Sequence, residues 1–171
     1  MTSFDDLVRR STAIGEMLTQ RGETVAVAEG SAGGLISAAL LAVPGASNYY
    51  VGGMVVYTLA SRRSLVGDAV LVPENLRGAS EPWALYLAQG ASVVLGTTWG
   101  VGEGGAAGPN GNRYGDPSGH AWVAVAGPVE KAVKVGTGQD DRAANMFAFA
   151  DAALDLLGDM IAAAPPPGTV S

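Results

Sequence analysis

The apolar positions Phe4, Leu7, Val8, Ile14, Met17 and Leu18 recur at three- and four-residue spacing, which predicts an amphipathic helix over 4–20. Thr2 or Ser3 can cap it, Asp5 and Asp6 suit its positive first turn, and Gly22 stops it. "TVAVA" (24–28) reads as a short buried strand. Gly33-Gly34 opens the apolar run 35–43, a helix that Pro44-Gly45 ends. "YYVGGMVVYT" (49–58) predicts a second strand, and 59–66 a short helix. Ser80-Glu81-Pro82 is a strong helix start, a capping serine followed by an acid and a first-turn proline, and the helix extends to Leu95. "TTWGVGE" (97–103), "GHAWVAVAG" (119–127) and "KAVKVGT" (131–137) read as three more strands, the last two a hairpin through Gly127-Pro128. Residues 140–161 form the closing helix. This order predicts an α/β fold, a three-layer α/β/α domain with a mixed sheet. It occupies 1–162 as one domain, followed by a flexible Pro-rich tail over 163–171.

Composition narrows the classes. A chain of 171 residues suits one domain; 48% hydrophobic residues supply a core, and 15% charged residues are too few for disorder. The net charge of −6, with no basic cluster denser than Arg62-Arg63, argues against nucleic acid or an anionic membrane as partner. No apolar run approaches the ~18 residues of a membrane span. "MTSFDDLVRR" lacks a signal-peptide pattern, so the expected location is cytoplasmic. The absence of cysteine excludes disulfides and thiolate chemistry. One histidine among scattered carboxylates gives no ligand spacing, so no metal and no cofactor are expected. So apolar a chain predicts further burial in a homo-oligomer.

Three glycine-rich turns follow strands, at 28–34, after 51–58 and over 103–119, and ligands of open α/β sheets bind beyond the carboxyl ends of strands. In "AEGSAGG" (28–34), the amides of Gly33 and Gly34 suit an anion or an oxyanion. Ser31 has two readings: the cap of the following helix, or a nucleophile that needs a nearby base. Tyr57, at a strand end, either packs or donates to a developing charge. Arg62 and Arg63 either bind phosphate or are solvated, and Arg142 either pairs locally with Asp140 and Asp141 or binds an anion. The long segment 104–119 concentrates polarity in an apolar chain, and Arg113, Tyr114, Asp116 and His120 sit in or beside it. His120 is the side chain whose ordinary pKa fits a base near neutrality.

Taken together, these segments resemble the C-terminal domain of the competence-damage-inducible CinA family, from about residue 4 to 160. "VAVAEGSAGGLISAALLAVPGAS" is similar to the family segment around Ala-Glu-Ser-Cys-Thr-Gly-Gly, and "GGMVVYTLASRRSLVG" to its Val-Thr-Tyr-Ser-Asn-Glu-Ala-Lys segment. "GASEPWALYLAQGA" resembles its Gly-Ala-Val-Ser-Glu segment, "GGAAGPNG" its Gly-Ile-Ala-Gly-Pro loop, and "DDRAANM" its Gly-Asp-Arg helix start. Stand-alone family members are nicotinamide mononucleotide deamidases. The resemblance puts Gly30 where the family has its serine nucleophile, Ser31 where it has cysteine, Arg62 at its lysine and Met146 at its second arginine, while Tyr57 and Arg142 match. It implies a small-molecule substrate and a carboxamide hydrolase, in which Ser31 or water attacks with His120 or Asp116 as base. Gly33, Gly34 and Tyr57 would hold the oxyanion, and Arg62, Gly105, Arg113, Asp116 and Arg142 the substrate. The other reading is a binding or regulatory domain that keeps the pocket without the reaction.

Overall fold

A computed structural model describes residues 2–168; the last three residues of the predicted tail lie outside the described residues. Helix α1 (Phe4–Arg21) starts on a capping box in which the Ser3 hydroxyl accepts the Asp6 N–H and the Asp6 carboxylate accepts the Ser3 N–H. Gly22 ends it in the left-handed region at φ 64°. Then follow β1 (Val25–Glu29), α2 (Leu35–Leu41), a 3₁₀ turn (Ala46–Asn48), β2 (Tyr50–Val55) and α3 (Leu59–Leu65). An irregular strap over 66–80 leads to α4 (Glu81–Leu95), β3 (Trp99–Ala106), β4 (His120–Ala126), β5 (Lys131–Gly136) and α5 (Arg142–Ala163).

The five strands form one sheet in the order β2-β1-β3-β4-β5. β1 runs parallel to both β2 and β3, and β3, β4 and β5 are antiparallel to one another. The three-layer arrangement with a mixed sheet is therefore as expected. On one face α1, α2 and α5 bury Leu7, Leu18, Ile36, Leu40, Leu154 and Leu157 against Val25, Val27, Val101 and Val123. On the other face α4 and the strap pack together, with Val66, Tyr86, Leu87 and Ala91 clustered with Ala26, Ala28 and Met54.

That second face is built from small residues on both sides. A Cβ added at Gly100 or Gly102 would collide with the carbonyl oxygen of Ala88 or Ala84, so glycine in β3 allows the α4 backbone to rest on the sheet. The same glycines explain a boundary. The run read as a strand to 103 and a loop from 104 continues as strand to Ala106, because Gly104 and Gly105 pair in register with Trp122 and Ala121 of β4. The closing helix also passes its expected end at 161 and runs to Ala163. Ala164 is buried beyond it, and Arg21 Nη2 donates to the Pro165 carbonyl at 2.8 Å.

Candidate functional site

Because β2, β1 and β3 are parallel neighbours, their carboxyl ends share one edge of the sheet, and the turns after Glu29, Val55 and Ala106 gather there. Glu29 and Glu103 stand opposite each other in register, both completely buried. The Glu103 carboxylate accepts the N–H of Gly30 at 3.0 Å and of Ala32 at 2.8 Å on one oxygen. Its other oxygen accepts the Ser31 hydroxyl. Burial pushes the Glu103 carboxyl up to about 7; the Ser31 hydroxyl and the two amides pull it down, and the nearby Glu29 charge adds to the rise. A buried hydroxyl thus faces a carboxylate that gains and loses its proton near neutrality.

These contacts correct two expectations. Ser31 does not cap α2. The cap is the Glu29 carboxylate, which accepts Ile36 N–H at 3.1 Å, Ser37 N–H at 2.9 Å and the Ser37 hydroxyl at 2.6 Å. Gly33 is not a free oxyanion donor either. Gly33 and Gly34 take left-handed φ values of 69° and 103° to make the turn, and the Gly33 N–H donates to the Gly30 carbonyl at 3.2 Å. Of the two amides on which an external anion was expected to sit, that of Gly33 is engaged by the chain's own backbone, while the acids take the amides of Gly30, Ala32, Ile36 and Ser37.

Two cavities meet above Ser31. An inner pocket of about 110 Å³ is lined by the Gly30-Ser31 turn, Val56-Tyr57, Gly78-Ala79, Trp83 and Gly104-Gly105. An outer groove of about 660 Å³, mostly apolar, takes Tyr57, Gly78 and Trp83 as shared walls and adds Leu59, Leu76 and Arg113 among others. Tyr57 is 64% exposed, and its phenol oxygen accepts Arg142 Nη2 at 3.2 Å. Arg142 Nη1 donates to the Gly108 carbonyl at 2.7 Å, so one guanidinium ties the β2 end to the β3 loop.

Residues 8–161 match the family model of the CinA C-terminal domain. The chain belongs to the CinA C-terminal domain family. It is 36% identical over 149 residues to a CinA-like protein of Salinibacter ruber (strain DSM 13855 / M31), covering 86% of this chain and 36% of that one. It is 41% identical over 113 residues to a CinA-like protein of Prochlorococcus marinus (strain MIT 9313), covering 66% and 26%. The chain therefore spans about a quarter to a third of the length of the curated relatives it matches. The crystal structure of competence damage-inducible protein A from Klebsiella pneumoniae subsp. pneumoniae MGH 78578 superposes with a TM-score of 0.84 at 22% identity, over 92% of this chain and 98% of that one, a likeness of fold. No described helix is long and apolar enough to cross a membrane.

Within this CinA-type frame the polar loop residues act chiefly as fastenings. Arg77 Nη1 meets Asp116 Oδ2 at 2.6 Å, and this hydrogen-bonded guanidinium holds Asp116 below the usual carboxylate range. His120 is buried. Its Nε2 lies 2.9 Å from the Ala79 carbonyl, which can only accept, so Nε2 carries a proton. Asp116 Oδ1 is 3.7 Å away, beyond hydrogen-bond reach. Ala79 sits at φ 55°, in the left-handed region, one residue before the Ser80 cap of α4. His120 therefore braces a strained corner rather than lining either cavity, and Asp116 clamps the 107–119 loop to the strap. Both expectations of a base there are corrected by these contacts. Arg62, at the position the resemblance gives to lysine, turns away: its Nη1 donates to Tyr86 Oη at 3.2 Å, and its guanidinium lies 5.7 Å from that ring's centroid. Of the expected cations, Arg113 lines the outer groove, its guanidinium 5.0 Å from the Tyr114 ring centroid. Gly105 lines the inner pocket.

Sequence reasoning gave no role to Glu103 or Trp83. For Glu103 a signal existed: it is the single charged residue in "WGVGEGGA", a strand otherwise apolar and buried along most of its length. Trp83 had none, since an aromatic residue in the first turn of an apolar helix ordinarily reads as core.

Proposed function

We propose that this domain is a serine hydrolase of small-molecule carboxamides, with Ser31 as nucleophile and Glu103 as its base. The observation that carries this reading is the hydrogen bond from the Ser31 hydroxyl, on the wall of the inner pocket, to the buried Glu103 carboxylate. In the first step the Ser31 proton passes to Glu103 while Oγ bonds to the carbonyl carbon. As the C–N bond breaks, Glu103 returns that proton to the leaving nitrogen, which departs as ammonia. Water then attacks the acyl-serine, with Glu103 again taking and giving a proton, and the acid leaves. A base that titrates near the working pH is suited to both directions of transfer.

The groove supports the substrate class that the family resemblance suggests, a nicotinamide mononucleotide-like molecule. Its walls offer Tyr57, Trp83 and Tyr114 to a planar ring and Arg113 to an anionic group. Ammonia release from nicotinamide mononucleotide tests the reading. Turnover by the wild type, abolished in Ser31→Ala and Glu103→Gln, is expected; undiminished turnover in either variant overturns it. The placement of Arg62 on Tyr86 favours a second reading, a binding domain without the reaction. That reading predicts a ligand-dependent rise in melting temperature with no ammonia released.

A further inference from the structure

Attack on a carbonyl places negative charge on its oxygen, and a buried site must present donors to it. Most amides of the turn and the helix start are engaged within the chain. Gly30 and Ala32 donate to Glu103, Gly33 to Gly30, and Ile36 and Ser37 to Glu29. Two donors from outside the turn border the inner pocket.

The first is the Gly105 N–H. Successive strand residues direct their backbone groups to opposite neighbours. The Glu103 carbonyl faces β1, where it accepts the Gly30 N–H, and the Ala106 carbonyl faces the β4 side, where it accepts the Gly119 N–H. Gly105 therefore shares the direction of Glu103. Its N–H points past the end of β1 at Glu29, beside the pocket that Gly105 lines. The second is the Trp83 indole N–H, which has no hydrogen-bond partner among the described residues and belongs to a side chain that lines the same pocket. Glycine at 104 makes room for that edge of the ring, since a Cβ there would lie 2.6 Å from both Cδ1 and Nε1. The ring is anchored at its root by the Ser80 hydroxyl, which accepts the Trp83 backbone N–H at 3.4 Å.

We infer that the Trp83 indole N–H and the Gly105 backbone N–H form the oxyanion hole of this site. The assignment rests on the serine hydrolase reading above. It replaces the Gly33 amide, which is engaged, and it outranks Tyr57, whose largely exposed hydroxyl works in a medium that weakens electrostatic stabilisation. It also divides the substrate. The inner pocket has the volume of about three to four water molecules, enough for a carboxamide head, while the body occupies the groove beyond Trp83.

The test is the rate at which a short-chain alkyl fluorophosphonate labels Ser31, followed by mass spectrometry, because its phosphonyl oxygen needs the same donors. Trp83→Phe and a protein carrying 3-benzothienylalanine at position 83, which keeps the bicyclic shape without the N–H, are compared with wild type. Both are expected to label about 10²-fold more slowly. The shape-preserving analogue is expected to melt at the wild-type temperature. Wild-type labelling rates in that analogue overturn the indole donor while leaving Ser31 as nucleophile. A folded wild-type protein whose Ser31 is not labelled at all overturns both.

Discussion

Glu29 and Glu103 are neighbours in register with the same kinds of partner, yet they do different work. Each is fully buried, and each accepts two backbone N–H groups and one serine hydroxyl. At Glu29 the amides belong to the first turn of α2, and the hydroxyl is that of Ser37, on the helix itself. That set closes a helix end and lines neither the inner pocket nor the outer groove. At Glu103 the amides belong to an irregular turn, and the hydroxyl is that of Ser31, which borders an open pocket. A serine on a buried carboxylate is thus not by itself a reactive pair. A place on the pocket wall separates a nucleophile from a brace.

The largest contrast concerns the two serines. Ser31→Ala is expected to lower ammonia release by at least about 10³-fold, close to 4 kcal/mol of barrier. Ser37→Ala is expected to leave turnover within about threefold of wild type and to cost about 1 kcal/mol of stability. Steady-state rates and urea melts on both variants check this, and equal losses of turnover would erase the distinction.

Next in size is the pH dependence of stability. The Glu103 carboxyl is raised from 4.5 to about 7 in the folded protein, so between those values the native state holds more proton than the unfolded chain. Stability therefore falls as pH rises from 4.5 to 7 and levels off above, by about 3 kcal/mol from this group. Glu103→Gln removes that contribution and keeps its partners. One amide oxygen can accept the Gly30 and Ala32 N–H groups, which share one carboxylate oxygen, and the NH₂ can donate to Ser31. The variant is expected to be the more stable protein above pH 7. Urea denaturation from pH 4.5 to 8 reads this directly; an unchanged slope in Glu103→Gln refutes it.

Glu29→Gln gives the smallest effect and the opposite sign. Here the Ile36 and Ser37 amides use different oxygens, so a glutamine leaves one buried donor unpaired. A loss of about 2 kcal/mol is expected by thermal or urea melting. A stabilised Glu29→Gln would show that the two acids are interchangeable after all.

Local signals carried most of the fold. Ser80-Glu81-Pro82 marks the start of α4 to the residue, because a cap, an acid and a proline act within one turn. Gly104-Gly105 hid the last residues of β3, since glycine reads as loop and its purpose here, space for Trp83 and Ala121, lies in distant chain. The site was legible in location and less so in role. The strand-end turns do gather on one edge. The serine before Gly33-Gly34 looked like a cap, but the cap comes from Glu29, seven and eight residues from the amides it binds. His120 looked like a base because its ordinary titration range fits one, whereas its fate is set by the Ala79 carbonyl, forty-one residues away in sequence. Hydrogen bonds of that span have no signature in spacing.

The contact of α4 with Gly100 and Gly102 has a bearing on which guests the site admits. With the Ala84 and Ala88 carbonyls seated on bare strand, the helix lies as close to the sheet as backbone contact allows, and Trp83, adjacent to Ala84, is set at the height this contact fixes. The ceiling of the chamber is thus set by the helix–sheet seam, and its outer wall is assembled from the strap and the polar loop, held together by Arg77 and Asp116. New substrates would be accommodated by recutting those two segments, leaving the glycine-and-alanine seam beneath untouched.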